Sequence, residues 1–199
     1  MKQYEADRAC DKALRVQTTG REDERGTKFM PYEPTPYSVL LRIADSGLIS
    51  PADHVLDYGC GKGRAAFLFA SRVGCRVTGI DRSEKLIAMA EENRAAFARP
   101  EKVRFIAESA EKYKPEEENV FYFFNPFSEA VFDIALRRIL ANSGEREKTR
   151  LLLYYPSDRY LIRLASEPEL RLMDEIDCRD LFDTNDDRER VLVYDRLQG

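Results

Sequence analysis

The chain predicts an α/β protein, a mostly parallel sheet covered by helices on both faces and closed by an antiparallel pair of strands. Three observations carry this. Short, near-continuous apolar runs alternate with helix-spaced apolar patterns through the middle of the chain, as strands buried on both faces do. A glycine-rich turn, "GCGKG" (59–63), stands between the first such run and the helix pattern after it. Two final strand-like runs, "LRLMDEIDC" (170–178) and "RVLVYDR" (190–196), have only a loop between them and therefore pair antiparallel.

Element by element, residues 1–16 place Ala6, Ala9, Cys10, Ala13 and Leu14 at helical spacing. Residues 17–36, rich in Gly, Pro and charge, read as a long loop or an arm able to act as a lid. Residues 1–34 thus form an N-terminal helix and arm, and 35–199 the main domain. "PYSVLLRIADS" (36–46) starts behind a proline and stops before Gly47, good punctuation for a helix. "HVLDYG" is the first strand, and residues 63–71 form a helix apolar nearly all round, hence buried. "CRVTGID" (75–81) is the second strand, and Ser83 caps a helix that stops before Pro100. "KVRFIAE" and "NVFYFFNP" are the third and fourth strands, followed by an amphipathic helix over 129–141. "RLLLYYP" is the fifth strand, with a short helix over about 158–165.

Composition narrows the function. With 199 residues the chain is large enough for one domain with a real core. Its net charge of −4 exerts no overall pull on nucleic acid or anionic membrane. Four scattered cysteines without a CxxC pair, and a single histidine, argue against a zinc site or a Cys–His catalytic pair, so no metal is expected. The first thirty residues carry charges throughout and no apolar leader pattern, and the longest apolar runs are far too short to cross a bilayer. These features predict a cytoplasmic protein with reduced thiols and no membrane partner.

The glycine turn discriminates between cofactors. A dinucleotide turn needs GxGxxG, the last glycine letting the helix approach the strand. Here the glycines are Gly59, Gly61 and Gly63, and Arg64 stands where that last glycine would be. This disfavours a dehydrogenase, and no GxxxxGK[ST] pattern is present either. "VLDYGCGKG" resembles motif I of the class I S-adenosylmethionine-dependent methyltransferases, a strand ending in an acidic residue followed by GxGxG. The resemblance runs from about 35 to 197. It implies a three-layer αβα sandwich with a seven-stranded sheet in the order 3-2-1-4-5-7-6, the last strand antiparallel. The implied cofactor is S-adenosyl-L-methionine, with S-adenosyl-L-homocysteine as product. Asp57 then lies near the cofactor's amino end, and the backbone of Tyr58, Gly59, Cys60, Gly61 and Gly63 lies against its methionine part. Asp81, 18 residues after Gly63 and followed by Arg82, matches the carboxylate that holds the two ribose hydroxyls; each of its oxygens can accept one charge-assisted bond. On the third strand's end the family often has Asp-Ala beside the adenine. Here Ser109 and Ala110 take those places, with Glu108 a competing candidate.

The fourth strand ends in Asn125, Pro126 and Phe127, similar to the [DNS]PP[YFW] motif of methyltransferases acting on nitrogen in a planar system, although it has one proline rather than two. The resemblance implies that Asn125 orients the acceptor and that Phe127 packs on it; a strand that simply ends in an Asn-Pro turn is the alternative. "YEPTPY" supplies Tyr32, Thr35 and Tyr37 as substrate contacts, and "YYP" supplies Tyr155 or Tyr154. His54, at the other end of the first strand, reads as structural. Cys60 is not read as a nucleophile, and "DTNDDRER" (183–190) reads as a solvated loop. The expected activity is methylation of an amine or amide nitrogen on a small molecule or protein. A nucleic-acid methyltransferase and a non-catalytic cofactor-binding protein are the alternatives.

Overall fold

A computed structural model describes residues 2–20, 32–143, 148–184 and 186–197. Seven strands form one sheet in the order β3-β2-β1-β4-β5-β7-β6. The strands are β1 (His54–Tyr58), β2 (Arg76–Asp81), β3 (Val103–Ala107), β4 (Val120–Phe123), β5 (Arg150–Tyr154), β6 (Leu170–Asp177) and β7 (Arg190–Arg196). The pairs among β1 to β5 are parallel, and β7 runs antiparallel to both β5 and β6.

The period-two alternation of strand side chains divides the interior into two cores. On β4, Val120 and Tyr122 face one side while Phe121 and Phe123 face the other; Leu152 and Tyr154 of β5 and Val191 and Val193 of β7 join the first two. Helices α2 (Tyr37–Asp45), α3 (Arg64–Arg72) and α4 (Glu84–Ala96) cover the first side. Helices α5 (Glu129–Ser143) and α6 (Asp158–Ala165) cover the second, through Phe132, Ala135, Leu136, Ile139, Tyr160 and Leu164. These are the three layers that the alternating pattern predicts. Helix α1 (Lys2–Leu14) rests against α2 and α3.

Local chemistry sets the helix starts. Ser83 accepts a hydrogen bond from the Leu86 N–H and Ser157 one from the Tyr160 N–H, satisfying donors that the first turn leaves free. Two single 3-10 turns, Pro100–Lys102 and Arg179–Leu181, add short elements that the periodicity does not distinguish from loop. Strand order reverses between β1 and β4, so the carboxyl ends of these strands part there and open a crevice.

Candidate active site

The loop after β1 is built by its three glycines. Gly59, Gly61 and Gly63 have φ of 72°, 53° and 85°, a region that side chains with a Cβ rarely adopt. Space is excluded as firmly as conformation. A Cβ on Gly59 would lie 2.5 Å from the Pro126 side chain, and one on Gly61 would overlap the Tyr32 ring. The bare loop therefore lets the end of β4 and the returning N-terminal arm close on it from two sides. The Gly59 and Cys60 N–H groups both donate to the Ile80 carbonyl, which ties the loop to the end of β2.

Asp81 ties the same two loops. Its Oδ2 accepts from the Gly61 N–H at 3.1 Å and its Oδ1 from the Ser83 N–H at 2.9 Å. A carboxylate has about four acceptor sites, so one such group can in principle serve a loop and a diol together. Asp57 contrasts with it. It is the penultimate residue of β1, with only 4% of its surface exposed, and among the described residues its carboxylate accepts no hydrogen bond. Burial, reinforced by the nearby Asp81 charge, pushes it up to about 7. A buried, unpartnered carboxylate on a cavity wall fits a ligand that brings its own cation.

These groups border a cavity of about 940 Å³ at the carboxyl ends of β1, β2, β4 and β5. One end is lined by Asp57, Gly59, Asp81, Arg82, Leu86, Glu108 and Ala110; Ser109 is not part of the lining. The Glu108 carboxylate accepts from the Ser109 N–H, so of the two candidates for the third strand's end it is Glu108 that faces the cavity. The other end is walled by Tyr122, Phe124, Tyr154, Tyr155, Phe182 and Glu189, with Asn125, Pro126 and Phe127 between the two halves.

The N-terminal arm reaches this site through Arg64. The guanidinium, 2% exposed, donates to Thr18 Oγ1, Thr19 Oγ1 and Asp7 Oδ2, each at 2.8 Å, and to the Thr35 carbonyl at 3.2 Å. It also stacks over the Tyr37 ring at 4.6 Å. Asp11 collects the Thr18 and Thr19 N–H groups and the Thr18 and Tyr37 hydroxyls. Burial raises the Asp11 carboxyl, but bonds from Thr18, Tyr37 and Thr19 more than offset this and leave it below its ordinary value. The residue that excludes a dinucleotide turn is thus the post to which the arm is moored.

The predicted contacts separate accordingly. Tyr32 and Thr35 line the cavity, Tyr32 lying on Gly61 with its hydroxyl bonded to the Thr18 carbonyl, and Thr35 bonded to the Tyr122 hydroxyl at 2.8 Å. Tyr37 does not: it is 1% exposed, turned away, and holds Asp11. It belongs to the arm's mooring. Of residues 17–36, read as a loop or lid, 21–31 lie outside the described residues. Asn125, with φ of 42°, gives its Nδ2–H to the Tyr155 carbonyl and accepts the Ser157 N–H, so its side chain braces the end of β4 against the turn after β5. Phe127 packs edge-on against Tyr58 and Phe123, and Tyr58 is buried in the second core. Cys60 is buried, and burial pushes its thiol well up. His54 bonds Thr78 Oγ1 at 2.9 Å at the opposite end of β1.

Sequence reasoning missed Tyr122, Phe124, Phe182 and Glu189. The first two were absorbed into an apolar strand. Glu189 fell in the charged run taken as solvated, yet it is half-buried, and the Tyr154 hydroxyl donates to it at 2.5 Å. The available signal was its place one residue before β7, which must lie beside the end of β5.

Fold and site together define a class I Rossmann-like cofactor domain. A family model described as a methyltransferase domain matches residues 49–150, just over half of the chain, from the loop before β1 to the start of β5. The chain belongs to that family and is an S-adenosylmethionine-dependent methyltransferase. Among solved structures it is similar to an RNA methyltransferase from Salinibacter ruber in complex with S-adenosyl-L-homocysteine (20% identity, 84% of this chain and 95% of that one, TM-score 0.61). It is similar also to a TehB-like methyltransferase from Corynebacterium glutamicum (19%, 80% and 87%, 0.58). A glycopeptide N-methyltransferase complexed with S-adenosyl-L-methionine matches at 12%, over 81% and 87%, with TM-score 0.64. At these identities the likeness is one of fold. No curated protein matches the chain's sequence at significance. Among the described residues no helix is long and apolar enough to cross a membrane, and no cluster of three His, Cys, Asp or Glu side chains is placed to hold a metal ion.

Proposed function

We propose that this methyltransferase acts on an amine nitrogen of a small molecule or of a protein side chain. The observation that carries the reading is the character of the cavity's second half: aromatic rings with the carboxylate of Glu189. The cavity's exposed cations, Arg82 and Lys85, stand at the other half, on the loop and helix after β2. A nucleic-acid acceptor would be favoured by unpaired cations at the acceptor end, where its phosphates must pass; Arg188, which stands there, is paired with Asp186 and stacked on Tyr155.

In this reading the first half of the cavity holds the cofactor. Asp57 takes its ammonium group, the loop backbone from Tyr58 to Gly63 lies along its methionine part, and Asp81, flanked by Arg82, takes the ribose hydroxyls. Glu108 and Ala110 border the adenine, with Ser109 positioned by Glu108. When bound, the cofactor would supply a methyl group activated on a sulfonium, the acceptor's N–C bond forming as the C–S bond breaks and S-adenosylhomocysteine leaves. The protein's work is then positioning and exclusion of water. Asn125 serves chiefly as a strut: by bracing the β4 end it fixes Pro126 and Phe127 at the junction of the two halves. One lone pair of its Oδ1 remains for the acceptor. Tyr32, Thr35 and Tyr155 form the acceptor walls.

A transfer screen with tritiated methyl donor across amine metabolites, proteins and RNA tests this. Label should enter the amine or protein fraction. Label confined to RNA would establish the nucleic-acid alternative, and no label anywhere with cofactor still bound would establish a non-catalytic binder.

A further inference from the structure

The carboxylate in the acceptor half is an unassigned group. Glu189 is bonded by Tyr154 of the β5 end and lines the same cavity as Tyr155, Phe124 and Phe182. Phe124, Tyr154 and Tyr155 pack ring to ring, with centroids 4.8 Å apart for Phe124 and Tyr154 and 6.0 Å for Tyr154 and Tyr155. Only one oxygen of Glu189 is engaged by a side chain, Oε2 by the Tyr154 hydroxyl; among the described residues Oε1 accepts nothing. The nearest cation does not neutralise it. Arg188 pairs with Asp186 and stacks on Tyr155 at 4.2 Å, and Asp186 is held in turn by the Tyr155 hydroxyl. The other titratable groups about Glu189 are Tyr154 and, at the end of β6, the Cys178 thiol. Burial and the Asp186 charge hold the Glu189 carboxyl above its ordinary value, against the opposing pull of Tyr154 and Arg188.

We propose that Glu189 is the specificity residue for the acceptor, and that it selects a protonated amine carried on an apolar or aromatic body. A carboxylate that shares a cavity lining with aromatic side chains suits an ammonium. Charge pairing and cation–π attraction act together on the head, while the rings take the apolar part. Its free Oε1 is also a sink for the proton that must leave before the nitrogen can react. The N–H bond breaks, the proton passes to Oε1, and a neutral amine with its lone pair remains beside a carboxylic acid. The inference rests on the cofactor occupying the other half of the cavity.

The test is calorimetric, with 2-phenylethylamine and its neutral analogue 2-phenylethanol titrated at pH 7.5 into protein saturated with S-adenosylhomocysteine. The amine is expected to bind at least tenfold more tightly than the alcohol. In Glu189→Gln that preference should vanish while homocysteine-cofactor affinity and melting temperature stay as in the wild type. Equal binding of the two probes, binding of neither by a protein that still takes up S-adenosylhomocysteine, or a preference that survives in Glu189→Gln would overturn the proposal. Failure of S-adenosylhomocysteine itself to bind would overturn the cofactor reading beneath it, and is seen separately in the first titration.

Discussion

Asp57→Asn is expected to stabilise the ligand-free protein at high pH and to weaken cofactor binding at the same time. The sign follows from the carboxyl's position. Its folded value of about 7 lies above the ordinary carboxylate value, so between those limits the folded state holds more protons than the unfolded one. Stability therefore falls as pH rises through that window, by about 4 kcal/mol at pH 8 and about 1 kcal/mol at pH 4.5, at 1.36 kcal/mol per pKa unit. Asparagine removes the buried charge. The variant's stability relative to wild type should thus rise by about 3 kcal/mol between pH 4.5 and pH 8, as read from urea unfolding without ligand. Affinity for S-adenosylhomocysteine should drop about thirtyfold at pH 8, the scale of a lost charged hydrogen bond of about 2 kcal/mol. A relative stability independent of pH, or an unchanged affinity, contradicts the role given to Asp57.

Arg64→Met should unmoor the N-terminal arm. The substitution keeps much of the side chain's length but removes every bond to Asp7, Thr18, Thr19 and Thr35, leaving the Asp7 carboxylate without its cation. Removing one partner of a buried ion pair costs about 3–5 kcal/mol. For a chain of this size that lowers the melting temperature by roughly 10 °C. The loss should reach the site as well, because Tyr32, which lies on Gly61, has its hydroxyl bonded to the carbonyl of Thr18, a partner of Arg64. Hydrogen exchange at the Thr18 and Thr19 amides, which Asp11 holds, should accelerate in step with weaker S-adenosylhomocysteine binding. A melting temperature within 2 °C of wild type would show that the arm is held by other means; that threshold is about 1 kcal/mol.

What the sequence disclosed follows the range of the forces involved. The glycine loop and the helix caps at Ser83 and Ser157 are decided within a few residues, so spacing alone locates them. The sheet order was available only through the resemblance, since the alternating pattern alone does not say which strands are neighbours. Arg64 shows the limit of this. Its identity excluded a dinucleotide turn, but its partners lie 29 to 57 residues away, and nothing near it in the chain announces them. Tyr37 was misplaced for the same reason: an aromatic beside a proline-rich arm looks like a substrate wall until Asp11 and Arg64 are seen to enclose it. Asn125 looked like an acceptor contact because the strand end and the following proline are local, while the Tyr155 and Ser157 groups that occupy its amide come from another loop. Glu189 was hidden by its charged neighbours. Its burial depends on β7 pairing with β5, a contact across 35 residues to Tyr154.

The central claim is that the crevice between β1 and β4 holds S-adenosylmethionine through Asp57 and Asp81. Calorimetric titration of S-adenosylhomocysteine, with NAD titrated in parallel, measures it most directly. One molecule of S-adenosylhomocysteine per chain, no detectable NAD, and a loss of about 1–3 kcal/mol in Asp81→Ala are expected. Uptake of NAD, no uptake of S-adenosylhomocysteine, or full affinity in Asp81→Ala would contradict it.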